Sequence, residues 1–198
     1  CTLKVSMDKK IRLALFASGT GSNVFNIITH FQNFSTIEVV AVLSNKSDAG
    51  ALNHAQNANI ETLVFDKAQF SDGVVTNYLI SKDIDYVILA GFLWKIPDGL
   101  IHQFPDKIIN IHPSLLPKFG GKGMYGLHVH EAVVAHKETK TGITIHLVNE
   151  HYDEGRIIKQ FEVEVTPNDT VKEVAAKISV LEKTYFPKTI QEFIEKSA

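Results

Sequence analysis

Continuous apolar runs alternate with amphipathic segments through the first 112 residues of the chain. The runs, which suit strands buried on both faces, occupy residues 11–17, 37–44, 61–65, 85–91 and 107–112. Between them, residues 22–31 and 73–82 carry apolar side chains three and four positions apart, as amphipathic helices do. The predicted apolar stripes are Val24, Ile27, Ile28 and Phe31 in the first segment, and Val74, Val75, Tyr78 and Leu79 in the second. This alternation predicts a Rossmann-like α/β fold, with an open, mostly parallel sheet and helices on both faces.

The pattern changes after residue 140. Residues 142–148 and 156–165 alternate partly between apolar and polar, and predict an antiparallel strand pair near the C-terminus, at the far end of the sheet. The last helix is expected to begin after Asp169 or Thr170, which are suitable N-caps. Pro187 is expected to kink or divide that helix, because proline lacks the N–H of the helical hydrogen bond.

Residues 1–198 are expected to form one domain, because no repeat, low-complexity tract or linker divides them. Residues 1–6 precede Met7 as either an artificial remnant or a native extension, and the fold prediction leaves them out. The only cysteine is Cys1, so no internal disulfide is possible and a cytoplasmic location is expected. The longest apolar runs are too short to span a membrane. A net charge of −2, with acids and bases interspersed, argues against nucleic acid as a partner.

The first candidate site is the glycine-serine loop ASGTGSN, residues 17–23, which follows the first predicted strand and opens the first helix. Its backbone N–H groups and the helix dipole predict an anion site suited to a phosphate. A plain turn capped by Ser or Asn is the alternative. The loop lacks the Lys-Ser/Thr ending of a Walker loop, and Val24 stands where a dinucleotide fingerprint has its third glycine. A dinucleotide is therefore less favoured.

The second candidate site is formed by Asn110 and His112, which alternate at the end of the fifth predicted strand. Their side chains should project on the same side, about 6–7 Å apart at the backbone. An amide donor and an imidazole that carries a proton are what an acyl-type transfer requires, because an oxyanion forms and a leaving nitrogen must be protonated. A structural Asn-His pair that merely ends a strand is the alternative.

The third candidate site is an acidic turn, residues 149–156, between the last two predicted strands. Asp153 in this turn can keep a nearby histidine charged, although Asp-x-Gly is also ordinary turn chemistry. No metal site is expected, because no carboxylate and histidine occur together at helical ligand spacing. The segment from His128 to His130 is expected to be a solvent-facing loop.

Five segments, taken together, resemble the folate-dependent formyltransferases. They are ASGTGSN, LSNK, LAGF, NIHPSLLPKF and HLVNEHYDEG. Their order and spacing are similar to those of glycinamide ribonucleotide formyltransferases from about residue 10 to residue 187. The resemblance implies transfer of a formyl group from 10-formyltetrahydrofolate to the primary amine of 5′-phosphoribosylglycinamide, in purine biosynthesis and without a metal.

The resemblance also implies a role for particular residues. Catalysis is assigned to Asn110, His112 and Asp153. The ribonucleotide is expected to meet five residues, the first four at its phosphate and the last at its amine: Thr20, Gly21, Ser22, Asn23 and Glu182. The folate pocket is expected to be lined by Leu93, Ile96, Val148, Asn149, Glu150, His151, Tyr152 and Asp153.

Three features depart from the family pattern. They are Trp94, Lys95 and a longer segment at residues 120–126, whose role the resemblance does not give. Two related enzymes typically carry additional parts. Methionyl-tRNA formyltransferase has a C-terminal domain and a basic RNA surface, and formyltetrahydrofolate deformylase has an N-terminal regulatory domain. Neither addition lies within these 198 residues, which favours the ribonucleotide enzyme. A non-catalytic nucleotide-binding module is the rival from another class. The chain is expected to act on small molecules, as a monomer or homodimer.

Overall fold

The computed structural model describes residues 9–151 and 153–197. The strands are β1 (Ile11–Phe16), β2 (Ile37–Ser44), β3 (Glu61–Val64), β4 (Tyr86–Leu89), β5 (Ile108–His112), β6 (Lys140–Leu147) and β7 (Ile157–Glu164). The helices are α1 (Ser22–Phe31), α2 (Gly50–Asn57), α3 (Lys67–Ser71), α4 (Val74–Ser81), α5 (Asp98–Gln103), α6 (Leu127–Ala135) and α7 (Val171–Ser197).

One seven-stranded sheet has the order β3-β2-β1-β4-β5-β6-β7. The first five strands pair in parallel, and β6 is antiparallel to both of its neighbours, β5 and β7. This arrangement confirms the predicted parallel sheet and its antiparallel C-terminal pair. Strands β2 and β3 follow β1 on one side of the sheet, and β5, β6 and β7 follow β4 on the other, so the strand order reverses between β1 and β4. A crevice is expected between the carboxyl ends of these two strands.

Helices cover both faces of the sheet, as the continuous apolar runs predicted. Along β1, Leu13 and Leu15 face a core shared with α1, α2 and α7, whereas Ala14 and Phe16 face a core shared with α3, α4 and α5. Alternate side chains of a strand point to opposite faces, so a strand buried on both faces must be apolar throughout. The two faces are called the α7 face and the α5 face below.

Two helices depart from their predicted form. The helix α7 is continuous over 27 residues, so of the two expectations for Pro187, a kink or a division of the helix, the division is wrong. Pro187 is itself buried between Phe186 and Ile190 on the side of α7 that packs on the sheet, and this packing offsets the missing backbone hydrogen bond. Thr170 is the N-cap, because its Oγ1 accepts a hydrogen bond from the N–H of Glu173.

The second departure concerns the segment from His128 to His130, which lies in α6 and not in a loop. This helix packs against α7 through contact of Val133 with Val174. The expectation that both histidines face solvent is wrong for His130, which is 6% exposed. Within the described ranges, no helix combines the length and the apolar character needed to cross a membrane.

Candidate active site

A cavity of about 590 Å³ opens at the carboxyl ends of β4 and β5. It crosses the edge of the sheet, from Asn23 and Glu182 on the α7 face to Leu93 and Ile96 on the α5 face. It brings together ten of the predicted site residues: Asn23, Leu93, Ile96, Asn110, His112, Val148, Asn149, His151, Asp153 and Glu182. The lining does not include Thr20, Gly21, Ser22 or Glu150, and Tyr152 lies outside the described residues.

The His112 ring is buried at the end of β5 between two acceptors. Its Nε2 lies 2.8 Å from the carbonyl oxygen of Phe119, and a hydrogen bond there requires the proton on Nε2. Its Nδ1 faces Oδ1 of Asp153 at 3.6 Å. A second proton on Nδ1 would therefore place an imidazolium charge directly against the carboxylate, which is the arrangement that stabilises a charged histidine.

A backbone hydrogen bond fixes the Asp153 carboxylate from the other side. Its Oδ2 accepts the N–H of Gly121 at 2.8 Å. Gly121 has a φ of +94°, a left-handed conformation that glycine adopts without strain. Residues 121–126 line the cavity, so the segment whose role the sequence left open forms part of the cavity wall and anchors the Asp153 carboxylate.

The sequence prediction missed one buried polar residue of this group, His146 on β6. It pairs with Asn110 across the antiparallel ladder, and its Nε2 lies 3.2 Å from Nδ2 of Asn110. Its Nδ1 lies 2.9 Å from the carbonyl oxygen of Leu147, which requires the proton on Nδ1 and leaves Nε2 as an acceptor. Burial lowers the pKa of His146, so the ring is neutral at pH 7.

The Asn110 amide is held in one orientation by this contact. An amide has two N–H donors, and one of them is directed at Nε2 of His146. The second donor remains for a molecule in the cavity that Asn110 lines. The sequence signal for His146 is its place in β6. When β5 and β6 are aligned as an antiparallel pair, His146 lies opposite Asn110.

A polar pair closes the α7 side of the cavity. The Asn23 amide of α1 donates a hydrogen bond from Nδ2 to Oε2 of Glu182 on α7. Burial raises the pKa of Glu182, and the hydrogen bond from Asn23 opposes that rise. The Oδ1 atom of Asn23 is buried and has no hydrogen-bond partner among the described residues. This end of the cavity therefore offers the Glu182 carboxylate to a cationic group.

The glycine-serine loop lies beside this pair. Gly21 is the N-cap of α1, with a φ of +81°, and among the described residues no side-chain cap is found at the start of that helix. A Cβ at Gly21 would lie 2.7 Å from Cβ of Ala51, so the loop packs directly on α2. The Ser18 hydroxyl donates to Oδ1 of Asn45 and accepts the N–H of Leu93, which ties together the loops that follow β1, β2 and β4.

The α5 side of the cavity is apolar. Leu93 and Ile96 line the cavity there, and the Trp94 ring packs against Phe65, Phe70 and Phe92. Trp94, which departs from the family pattern, is thus part of an aromatic cluster. The predicted folate residue Glu150 lies outside the cavity lining, with its Oε1 3.3 Å from Nε2 of the exposed His102.

Histidine and carboxylate side chains do not converge on a metal site in the described part of the chain. His128 is exposed and lies 3.9 Å from Glu131, one turn further along α6. His130 lines the cavity. Among the described residues, the site is therefore built from hydrogen-bond donors and acceptors, with the Asp153 carboxylate within 4 Å of the His112 and His146 rings.

In sequence and in fold, the chain is similar to known formyltransferases. A family model described as formyl transferase matches residues 11–190. Phosphoribosylglycinamide formyltransferase, chloroplastic, of Arabidopsis thaliana is 44% identical over 86% of this chain, and the match covers 61% of that protein. The chain thus spans less than two thirds of the length of this plant relative.

Bacterial relatives match over most of both chains. Phosphoribosylglycinamide formyltransferase of Haemophilus influenzae is 34% identical, and the match covers 93% of this chain and 87% of that protein. The crystal structure of glycinamide ribonucleotide transformylase 1 from Symbiobacterium toebii superimposes with a TM-score of 0.86 at 31% identity, over 94% of this chain and 89% of the other.

Proposed function

Because the chain belongs to the formyl transferase family, we propose that it transfers the formyl group of 10-formyltetrahydrofolate to the primary amine of 5′-phosphoribosylglycinamide, in purine biosynthesis. The observation that carries this proposal is the position of Asn110, His112 and Asp153 around one cavity. An apolar wall lies on one side of these residues, and the Asn23–Glu182 pair lies on the other. The catalytic group is therefore between two chemically different subsites.

The polar subsite on the α7 face suits the ribonucleotide. Its phosphate is assigned to the uncapped N–H groups at the start of α1, where residues Thr20 to Asn23 meet the positive end of the helix dipole. Its amine, in the ammonium form, is assigned to Glu182, which lines this end of the cavity. Binding of the substrate ammonium favours the ionised form of the Glu182 carboxyl, which burial alone disfavours.

The apolar subsite on the α5 face suits the folate. Leu93 and Ile96 offer apolar surface to the faces of a planar ring, and the backbone from Val148 to Asp153 offers hydrogen bonds to its edge. The formyl group would then lie near the ends of β4 and β5, within reach of Asn110. Both substrates meet at the catalytic group, and this proximity supplies much of the rate.

The proposed chemistry begins when the bound ammonium releases one proton to solvent, and the neutral amine nitrogen then attacks the formyl carbon, forming a new C–N bond and an oxyanion. The free N–H of Asn110 donates to the oxyanion, and the His112 imidazolium, held charged by Asp153, stabilises its negative charge. The bond from carbon to the folate nitrogen then breaks. The proton lost by the amine passes to that nitrogen, which leaves tetrahydrofolate and the formylated ribonucleotide.

The proposed setting is the cytoplasm, with small molecules as the only substrates and a monomer or homodimer as the active form. The single cysteine of the sequence and its mixed surface charge support this setting. The proposed chemistry requires no metal.

The proposal is tested by following the release of tetrahydrofolate from 10-formyltetrahydrofolate with and without the ribonucleotide. Release that requires the ribonucleotide is the expected result. Release without any amine would indicate hydrolysis, as in a deformylase. Absence of release with both substrates present would contradict the proposal and favour a binding module.

A further inference from the structure

The His130 side chain belongs to a cavity-lining residue and has no role in the chemistry above. The residue is 6% exposed, and its Nδ1 is buried without a hydrogen-bond partner among the described residues. Buried polar atoms are nearly always paired, since an unpaired one destabilises the fold. Together with Oδ1 of Asn23, it is one of the buried unpaired atoms that border this cavity.

The position of His130 in the fold connects it to the polar subsite. His130 and Val133 are one turn apart on α6, and Val133 packs against Val174 of α7. Glu182 lies eight residues beyond Val174 on α7, which places both on one stripe of that helix. The helix α6 therefore packs beside α7, the helix that carries Glu182, and this packing assigns His130 to the part of the cavity proposed for the ribonucleotide.

The protonation of His130 decides what it offers to a ligand. Burial lowers the pKa of His130, so the ring is neutral and carries one N–H. An unpaired buried N–H is rarer in proteins than an unpaired acceptor, which assigns the proton to Nε2 and the bare lone pair to the enclosed Nδ1. Because Nδ1 is enclosed while the ring lines the cavity, the edge that carries Nε2 is the one turned toward the ligand.

We propose that His130 is a specificity-determining residue for the amine substrate, whose Nε2–H donates a hydrogen bond to an oxygen of the sugar–phosphate moiety. This inference rests on the proposed function, because the identity of the substrate comes from it. His130 touches the substrate but takes no part in bond making or breaking. Its loss should therefore raise the KM for the ribonucleotide and leave kcat and the folate KM unchanged.

The test uses three substitutions that differ in where a donor remains. In His130→Gln the amide nitrogen can take the place of Nε2, in His130→Asn it falls nearer the place of Nδ1, and His130→Phe keeps ring volume without a donor. We expect the Phe and Asn variants to raise the ribonucleotide KM about tenfold, the loss of roughly one hydrogen bond, and the Gln variant to stay near wild type. His128→Gln, on the exposed side of the same helix, is the control and should change nothing.

Thermal melting of each variant shows whether the fold is intact. If His130 only fills space, the Gln and Asn variants will have equal ribonucleotide KM values, or both substrates will be affected alike, and either result overturns the proposal. If the Phe variant does not fold, the comparison of Gln with Asn still decides. A second assay with the dephosphorylated riboside as the amine substrate shows which oxygen accepts the hydrogen bond from His130. If the Asn variant still has a raised KM for the riboside, the oxygen belongs to the ribose. If the riboside KM equals that of the wild type, the oxygen belongs to the phosphate.

Calorimetric titration of the ribonucleotide makes the same comparison without turnover. Weaker binding to the Asn variant than to the Gln variant supports the role of His130 even in a protein that transfers no formyl group. A wild type that binds the ribonucleotide but never turns over would contradict the proposed function alone. Equal affinity of wild type and all three variants would contradict the inference about His130.

Discussion

The Nδ2 atom of Asn110 lies 3.2 Å from Nε2 of His146, on the neighbouring strand of an antiparallel pair. The His146 proton is on the other ring nitrogen, where the carbonyl oxygen of Leu147 accepts it. The histidine therefore acts on Asn110 as an acceptor, which fixes the amide with one N–H turned away from the ladder and toward the cavity. The pairing of β5 with β6 therefore holds in place the Asn110 amide, the group proposed to bind the oxyanion.

A first prediction follows for His146 as a positioning residue. His146→Leu should lower kcat about tenfold or more, because the Asn110 amide loses the acceptor that orients it, while both KM values change little. His146→Gln retains an acceptor oxygen and should lose less. The measurement is a double-mutant cycle with Asn110→Ala. In the Ala background the Leu substitution should cost nothing further, whereas additive losses would show that the two residues act separately.

A second prediction concerns the packing of the glycine-serine loop. Gly21→Ala should lower the free energy of unfolding by about 2 kcal/mol or more, because its φ is positive and its Cβ would collide with Ala51. Gly19→Ala in the same loop is the matched control, since a Cβ there meets no atom within 4 Å. Chemical denaturation of both variants measures the difference. Equal stability of the two would contradict the close approach of the loop to α2.

The pKa of Glu182 leads to a third prediction, on stability and pH. Burial raises the folded pKa of this carboxyl above its ordinary value of 4.5. The stabilising contribution of the protonated form is complete below the unfolded pKa and is lost as pH rises through the folded pKa. Glu182→Gln has no charge to bury, so its melting temperature relative to that of the wild type should increase as pH rises from about 4.5 to neutral. Its affinity for the ribonucleotide should be lower than that of the wild type.

The control for Glu182 is Glu192→Gln, a partly exposed position on the same helix that faces Lys159 at 3.8 Å. Its melting curve should follow the wild type at every pH, and its ribonucleotide affinity should be unchanged. A Glu182→Gln variant with wild-type affinity would mark the residue as a buried helix glutamate without a substrate. Parallel pH dependence of the Gln variant and the wild type would contradict the raised pKa.

The sequence carried the information for the sheet but less of it for the site. Strand β1 could be predicted because burial on both faces demands an unbroken apolar run, and α1 because all four predicted stripe residues, Val24, Ile27, Ile28 and Phe31, are buried. In α4, by contrast, Val74 of the predicted stripe is 49% exposed. Periodicity gives the face of a helix but not how far its packing extends.

Other features depend on contacts between distant segments. The helix α6 follows a glycine-rich segment and is held by α7, so its sequence alone favoured a loop. His146 becomes part of the site only through the register of β6 on β5, and the link from Gly121 to Asp153 joins residues 32 positions apart. Catalytic residue types at strand ends can be predicted, whereas the partners that orient them are set by tertiary packing.

A fourth prediction addresses the charge of Asp153. Asp153→Asn keeps the shape, can still accept the N–H of Gly121 and tolerates the positive φ of 55°, so the fold should be unchanged. Turnover should fall about 10²-fold or more, because a positive charge on His112 is no longer balanced by the carboxylate that faces its Nδ1, while binding of both substrates changes much less. Single-turnover rates across pH measure this effect.

The control for Asp153 is Asp106→Asn, since Asp106 is an exposed aspartate with a φ of +56°. It should keep the wild-type rate at every pH. A well-folded Asp153→Asn variant with wild-type turnover throughout would remove the carboxylate from the mechanism. Asp153 would then be an ordinary turn residue, for which asparagine is equally suitable.

The central claim, formyl transfer between two substrates at Asn110, His112 and Asp153, is tested most directly by tracing the formyl carbon. The wild type and Asn110→Ala would each be mixed in a single turnover with the ribonucleotide and 10-formyltetrahydrofolate labelled with ¹³C in its formyl group. We predict that the wild type places the label on the amine nitrogen of the ribonucleotide, and that Asn110→Ala does so at least about 10²-fold more slowly. Label recovered as free formate, or left on the folate by the wild type, would contradict the account.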